Sequence, residues 1–247
     1  MSSRSVLPLL LLALVAPSAA QPLEPFAARY QGQKRLGPFT AKALATVELK
    51  SFGTHLHYAV STLVKLSVLE RKFEDCSVMR VVGDRLYPLE YAHIDQSDPK
   101  NNLHTAFDWS ASSAVTRFGT GQSLSAAISW PTWDPMSFQV ALAATRHARR
   151  ESKKEIQTVI ERGTVKSHRV LFEGPSPPPF AGAPQVFAVR SEKPGGGTTA
   201  LLLDSLRPFR PIRISVDDIH LDHLEDLPPA GIDTAAPMPR CPVGVPP

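Results

Sequence analysis

Two cysteines, two tight histidine groups and a scatter of aromatic side chains carry the chemistry this sequence can offer. His55-Leu56-His57 places two imidazoles on one face of a strand, a spacing that zinc or copper can use. His220-Leu221-Asp222-His223 stands beside Asp217 and Asp218. No third histidine is placed to complete either set, and a polar strand face accounts for both, so no metal and no cofactor is expected. A serine nucleophile on a strand-to-helix elbow needs G-x-S-x-G, which is absent; Gly119-Thr120-Gly121-Gln122-Ser123 reads as a turn. Gly195-Gly196-Gly197 is followed by no helix with Lys-Ser or Lys-Thr, so it is not a phosphate loop. Asp75, Asp84, Glu90 and Asp108 can act as acid and base only if the fold brings two together. No catalytic residue is assigned, and the expectation is a protein that is not an enzyme.

The aromatic residues give a different expectation. Trp109, Phe118, Trp130, Trp133 and Phe138 line a ligand pocket if a helix lies in the mouth of a curved sheet; otherwise they are ordinary core.

The N-terminus fixes the compartment. Arg4 precedes the apolar run Val6 to Ala16, and Pro17-Ser18-Ala19-Ala20 supplies the small residues of a cleavage site. The run has 11 residues, where a helical span needs roughly 20. Residues 1–20 therefore read as a signal peptide cut after Ala20, and the mature chain does not span a membrane. Gln21 rather than cysteine follows, which argues against a lipid anchor. In that oxidising compartment the even count of two favours a Cys76–Cys241 disulfide. Lys and Arg number 27 against 23 acidic residues, too mild an excess to indicate nucleic acid. Arg146, Arg149, Arg150, Lys153 and Lys154 form the one basic cluster and read as a solvated helix end.

The elements that must position these residues are mostly strands. The 24 prolines concentrate in the stiff loop 174–184 and in a tail, 227–247, which builds no core and stays disordered unless Cys241 pins it. The part from 21 to 226 reads as one domain. Period-two patterning predicts strands over 43–49, 55–63, 66–82, 86–94, 103–109, 114–118 and 124–128. It continues over 156–161, 165–172, 186–191, 198–203, 211–216 and 220–224. Asp134-Pro135 opens a helix over about 134–149, with Asp134 as N-cap, Pro135 at the first position, and Phe138, Leu142 and Thr145 on one face. The fold class is all-β with one or two helices: a curved antiparallel sheet forming a half-barrel or open barrel, with the helix over its concave face.

Four segments in order carry a family likeness: Phe26 to Lys50; Pro88-Leu89-Glu90-Tyr91 with Phe107-Asp108-Trp109; Trp133 to Phe138; and Arg210-Pro211-Ile212-Arg213-Ile214. Together they span most of the mature chain, which resembles the bacterial exported proteins of domain of unknown function family 3108. The chain departs from that family at Leu201 to Leu203, where a tryptophan is common there. The resemblance implies a periplasmic, β-rich protein and transfers no functional residue. Three readings stay open. The first is a non-catalytic binding or carrier module for an apolar or lipidic ligand. The second is a structural or protein-interaction component of the envelope, and the third an enzyme acting on an envelope polymer.

Overall fold

The computed structural model describes residues 23–36, 39–148, 152–207, 210–217, 219–228 and 239–244. The expected signal peptide and much of the tail lie outside them. Eight strands follow in order: β1 (Phe26–Leu36), β2 (Phe39–Phe52), β3 (His55–Leu66), β4 (Leu69–Val82), β5 (Arg85–Asp95), β6 (Leu103–Asp108), β7 (Ser113–Phe118) and β8 (Ser123–Ala127). The chain then passes through β9 (Thr132–Trp133) and the helix α1 (Pro135–Ala148). It returns through β10 (Lys153–Glu161), β11 (Thr164–Ser176), β12 (Val186–Glu192), β13 (Thr198–Asp204), β14 (Pro211–Val216) and β15 (Ile219–Asp226).

All fifteen strands form one sheet, in the order β8-β7-β6-β5-β4-β3-β2-β1-β15-β14-β13-β12-β11-β10-β9. Two meanders are thus zipped together by β1 and β15, and every pairing is antiparallel except β9 with β10. The sheet curls into an open barrel whose ends, β8 and β9, do not pair. Alternation explains the curl's inner face: in β2, Ala41, Ala45, Val47 and Leu49 are buried, while Lys42, Leu44 and Thr46 at the alternate positions face outward to differing degrees. The same face of β3 supplies Leu56 and Tyr58, and that of β11 supplies Val170 and Phe172.

The two ends of the sheet overlap. Val159 of β10 belongs to the main core, whereas its neighbour Ile160 packs on the other face with Phe107, Ala114 and Ile128. Both faces of β10 are buried there, because β6 and β7 cover it. The β10–β11 turn slides under β7 and β8. Its residues Arg162 and Gly163 both have positive φ, and a Cβ on Gly163 would stand 2.9 Å from Leu124 Cβ. Only glycine satisfies that turn and that contact together.

Three boundaries differ from the sequence expectation. The long strand expected over 66–82 is broken by a tight turn at Ser67-Val68. The proline-rich loop begins later than 174, since β11 runs to Ser176. Lys153 and Lys154 open a strand rather than close a helix, and Lys153 pairs with Glu155 at 2.7 Å.

Candidate functional site

The helix α1 is seated by its own N-terminus. Asp134 Oδ1 accepts hydrogen bonds from the amides of Met136 (2.8 Å) and Ser137 (2.9 Å), and Ser137 Oγ accepts from the Asp134 amide (3.0 Å). This is a reciprocal cap of the kind a D-P-x-S sequence can build. The second carboxylate oxygen accepts from Ser77 Oγ of β4 at 2.8 Å, which ties the cap to the sheet. Burial raises the Asp134 carboxyl above the ordinary range, against the pull of those hydrogen bonds. From that anchor α1 lies in the curl, touching β3, β4 and β5 on one side and β9, β10 and β12 on the other. Phe138 and Leu142 are buried, and Phe138 meets the His168 ring edge-on at 5.5 Å.

The five aromatic residues expected to line a pocket fall into separate surroundings. Trp133 and Phe138 come together in the main core, with Phe118 packed at its margin. Trp109 belongs to the overlap cluster around Phe107, and its indole donates to Pro88 O at 2.6 Å. Trp130 is 42 % exposed beneath the Arg85 guanidinium and donates to Leu86 O. They therefore do not enclose one cavity. The space beside α1 is lined instead by Leu23, Phe26, Leu49, Tyr58, Val140 and Leu201 among others, and holds about 10 Å³, near the lower limit for a single water.

Two polar groups stand out, one half-buried and one buried. Asp75 Oδ1 accepts from Tyr91 Oη and is bonded to His93 Nδ1, both at 2.9 Å. The bond to Asp75 raises the His93 ring above its ordinary value. On β10–β12, His168 Nδ1 lies 3.1 Å from Ser191 Oγ, and its Nε2 lies 3.4 Å from Glu161 Oε1 without an aligned hydrogen bond. His168, with Lys193 and Lys166, holds the Glu161 carboxyl down at about 2. A serine, a histidine and a glutamate in contact resemble a hydrolytic triad in composition. Ser191 is wholly buried and Phe138 packs on the histidine, so substrate has no approach to the hydroxyl. The other carboxylates singled out stay apart. Glu90 lies on the outer face, Asp108 caps the turn at Ser110 and Ala111, and Asp84 is exposed.

The histidine groups also disperse. His55 meets Thr54, while His57 Nε2 lies 3.3 Å from Cys76 Sγ. His220 pairs with Ser215, His223 with Asp226, and Asp217 accepts from the Thr198 amide. No cluster of metal-ligating side chains forms among the described residues.

On the outer face, Cys76 and Cys241 are joined at 2.08 Å. The segment 239–244 crosses β4 and β5 as a strap, and Cys241 covers Val78 and Ala92. The Cys241 amide donates to Glu90 Oε1 at 2.8 Å, and Asn102 Nδ2 donates to Gly244 O at 2.9 Å. Burial pushes the Glu90 carboxyl up, but bonds from His104 and Cys241 outweigh it and hold the group below its usual range.

Among the described residues, one concave feature with room for a ligand is a cleft of about 440 Å³ where β1 begins and β15 ends. Phe26, Pro25 and Leu227 give it apolar walls; Glu24, Arg207, Arg210 and Asp226 give it an ionic rim. Arg210 bridges Asp204 and Asp226, and Arg207 lies 3.2 Å from Asp226. Phe26 lines both this cleft and the small space beside α1. Sequence reasoning missed the cleft. Its lining is gathered from residues 24–27 and 207–227, and nothing in their types or spacing marks them.

Fold and site together define a β-barrel-like domain with a helix-filled interior and an external cleft. No family model matches the chain, and no curated protein matches it. It is similar in structure to the crystal structure of a β-barrel-like protein of domain of unknown function DUF1849 from Brucella abortus. The TM-score is 0.53 at 12 % identity, covering 81 % of this chain and 95 % of that one. That likeness establishes the barrel-like fold.

Proposed function

We propose that the protein is a non-catalytic binding module of the bacterial envelope for an apolar or lipidic ligand, held in the cleft at Phe26 rather than inside the barrel. The observation that supports this reading is the cleft itself. Its volume of about 440 Å³ lies within the range of small-molecule sites, roughly 300–1,000 Å³. Its apolar walls suit a chain or ring, and its rim offers both charges to a polar end. Displacing the Phe26 ring would let the ligand reach the apolar space beside α1. The sealed state of Ser191 and His168 favours binding over catalysis. Export through the signal peptide, and the resemblance to domain of unknown function family 3108, belong to the same reading.

The test is native mass spectrometry of protein purified gently from the periplasm, beside a Leu227→Asp variant. The reading expects a mature chain beginning at Gln21, a co-purifying lipid on the wild type, and its loss from the variant at unchanged melting temperature. An empty wild type that also fails to take up added fatty acid or phospholipid would refute it. A second reading, an envelope interaction component, is favoured by one observation. β8 is an unpaired edge with Leu124 47 % exposed, open to strand addition by a partner.

A further inference from the structure

The far end of β1–β4 from the cleft has a different chemistry. Lys42 stands opposite Lys65 in the β2–β3 ladder, so Phe39 at the start of β2 lies level with the β3–β4 turn at Ser67-Val68. Three large apolar side chains are exposed there: Phe39 at 56 %, Val68 at 93 % and Leu69 at 66 %. Two other two-residue hairpin turns in this meander, Gly53-Thr54 and Gly83-Asp84, have glycine at the first position with φ near +60°. The β3–β4 turn adopts the same sign with Ser67, φ +55°, and follows it with a valine pointing nowhere into the protein. Folding alone favours Gly or Asn at such a turn and a polar residue beside it.

The surroundings are basic. The last four residues of β1 to β4 at this end contain Lys34, Arg35, Lys42, Lys65, Arg71 and Lys72, and one acid, Glu70. Glu70 pairs with Lys65, while Asp95 and Glu74 reach Arg71 and Lys72 from further in. Lys42 and Lys65 face each other directly, a like-charge pair that costs sheet stability. Exposed aliphatic and aromatic residues at a tip, ringed by lysine and arginine, match the chemistry of an anionic bilayer. The apolar residues enter the acyl boundary and the cations meet the headgroups.

We infer that this end docks on an anionic lipid bilayer through Phe39, Val68 and Leu69. The 11 residues of β1 separate the tip from the cleft by about 35 Å, so a docked molecule presents its cleft away from the membrane. This inference stands independently of any ligand in the cleft.

The experiment is co-sedimentation of the mature protein with vesicles of phosphatidylethanolamine and phosphatidylglycerol, and with vesicles of phosphatidylcholine alone. The protein should pellet with the first, release in high salt, and stay soluble with the second. Val68→Asp with Leu69→Asp should lower binding at least roughly tenfold, and Lys42→Glu should lower it on the order of tenfold. Melting temperatures should not fall, since all three side chains are on the surface and Lys42→Glu relieves a like-charge pair. Equal binding to both vesicle types, no binding by the wild type, or full binding by both variants would overturn the inference. So would lipid-free self-association that the aspartates abolish, since it would assign the tip to a second copy of this chain.

Discussion

Asp134 holds α1 to the sheet, and its replacement gives the sharpest test of how the barrel is filled. Asp134→Ala removes the acceptor for the Met136 and Ser137 amides and for the Ser77 hydroxyl, all in a site with no solvent access. Loss of an N-cap costs about 0.5–2 kcal/mol. Leaving a buried donor without a partner adds about 1–3 kcal/mol. A loss of about 2–4 kcal/mol is expected, well above the median for point substitutions. Asp134→Asn should behave differently. Its amide oxygen still accepts from the two amides, and Ser77 can turn its hydroxyl from donor to acceptor. The sign of the carboxyl's own contribution agrees. Burial raises its pKa in the fold, so its favourable contribution is complete below the unfolded value and is lost as pH rises through the folded one. At neutral pH the wild type therefore carries a desolvation penalty that asparagine lacks.

Urea unfolding at neutral pH is the assay. For the alanine variant the midpoint should fall by about 1–2 M with the slope unchanged, while the asparagine variant should lie within about 1 kcal/mol of wild type. Ser77→Ala alone should cost about 1 kcal/mol. Combined with Asp134→Ala it should add less than the sum, because both remove the same bond. An alanine variant within about 0.5 kcal/mol of wild type, or an asparagine variant as unstable as the alanine one, would refute the seating of α1 described here.

The strap and the interior ion pairs give two more expectations. Cys241→Ser should lower stability by up to about 5 kcal/mol on the chain-entropy argument, since the bond closes a separation of 165 residues. The variant should also become indifferent to reductant, and a cost below about 1 kcal/mol would mean the strap is held by its other contacts. Glu161 has a folded pKa of about 2 against about 4.3 unfolded; solvent screens its half-buried carboxylate and the exposed lysines, so it contributes about 1–2 kcal/mol above pH 4–5 that is lost as pH falls through about 2. Glu161→Gln should flatten the acid limb of the stability profile, measured by thermal melts between pH 2 and roughly 6; an unchanged limb would remove the stabilising role given to the contacts of Glu161 with His168, Lys193 and Lys166.

Local signals made most of the elements legible in the sequence. The cap at Asp134-Pro135 and the glycine turns at 53, 83 and 163 are written in adjacent residues, and they fixed where strands and helix begin. Ser67-Val68 broke that rule, which is why residues 66–82 read as one strand; a turn without glycine or asparagine leaves no local mark. The Cys76–Cys241 bond was legible from an even count and an expected oxidising compartment, without geometry. The aromatic pocket was not, because it depended on the extent of curl. Trp133 and Phe138 face the core as expected, but the overlap of the two sheet ends takes Trp109 to the outer side of β10 and leaves Trp130 beyond the rim. No sequence pattern says which strand will slide over which.

That overlap also explains why the proposed binding site lies on the outside. A sheet this long can enclose a wide lumen, but here the curl is tight and the lumen is spent on α1 and on the side chains of both meanders. The outer face is then left with an apolar patch at Cys76, Val78 and Ala92, opposite strands already packed on their inner side. A sheet buried on one face only would expose that patch to water, and the strap covers it. The strap can do so because a disulfide and the Glu90 carboxylate hold a proline-rich segment with little apolar surface of its own. An oxidising compartment is thus a condition for the completed fold, and the export proposed above supplies it. In reducing conditions the patch, not the barrel core, should be the first surface to open, since the strap's remaining polar anchors are the Cys241 amide on Glu90, a long exposed contact from Arg240 to the same carboxylate, and the Asn102 bond to Gly244 O.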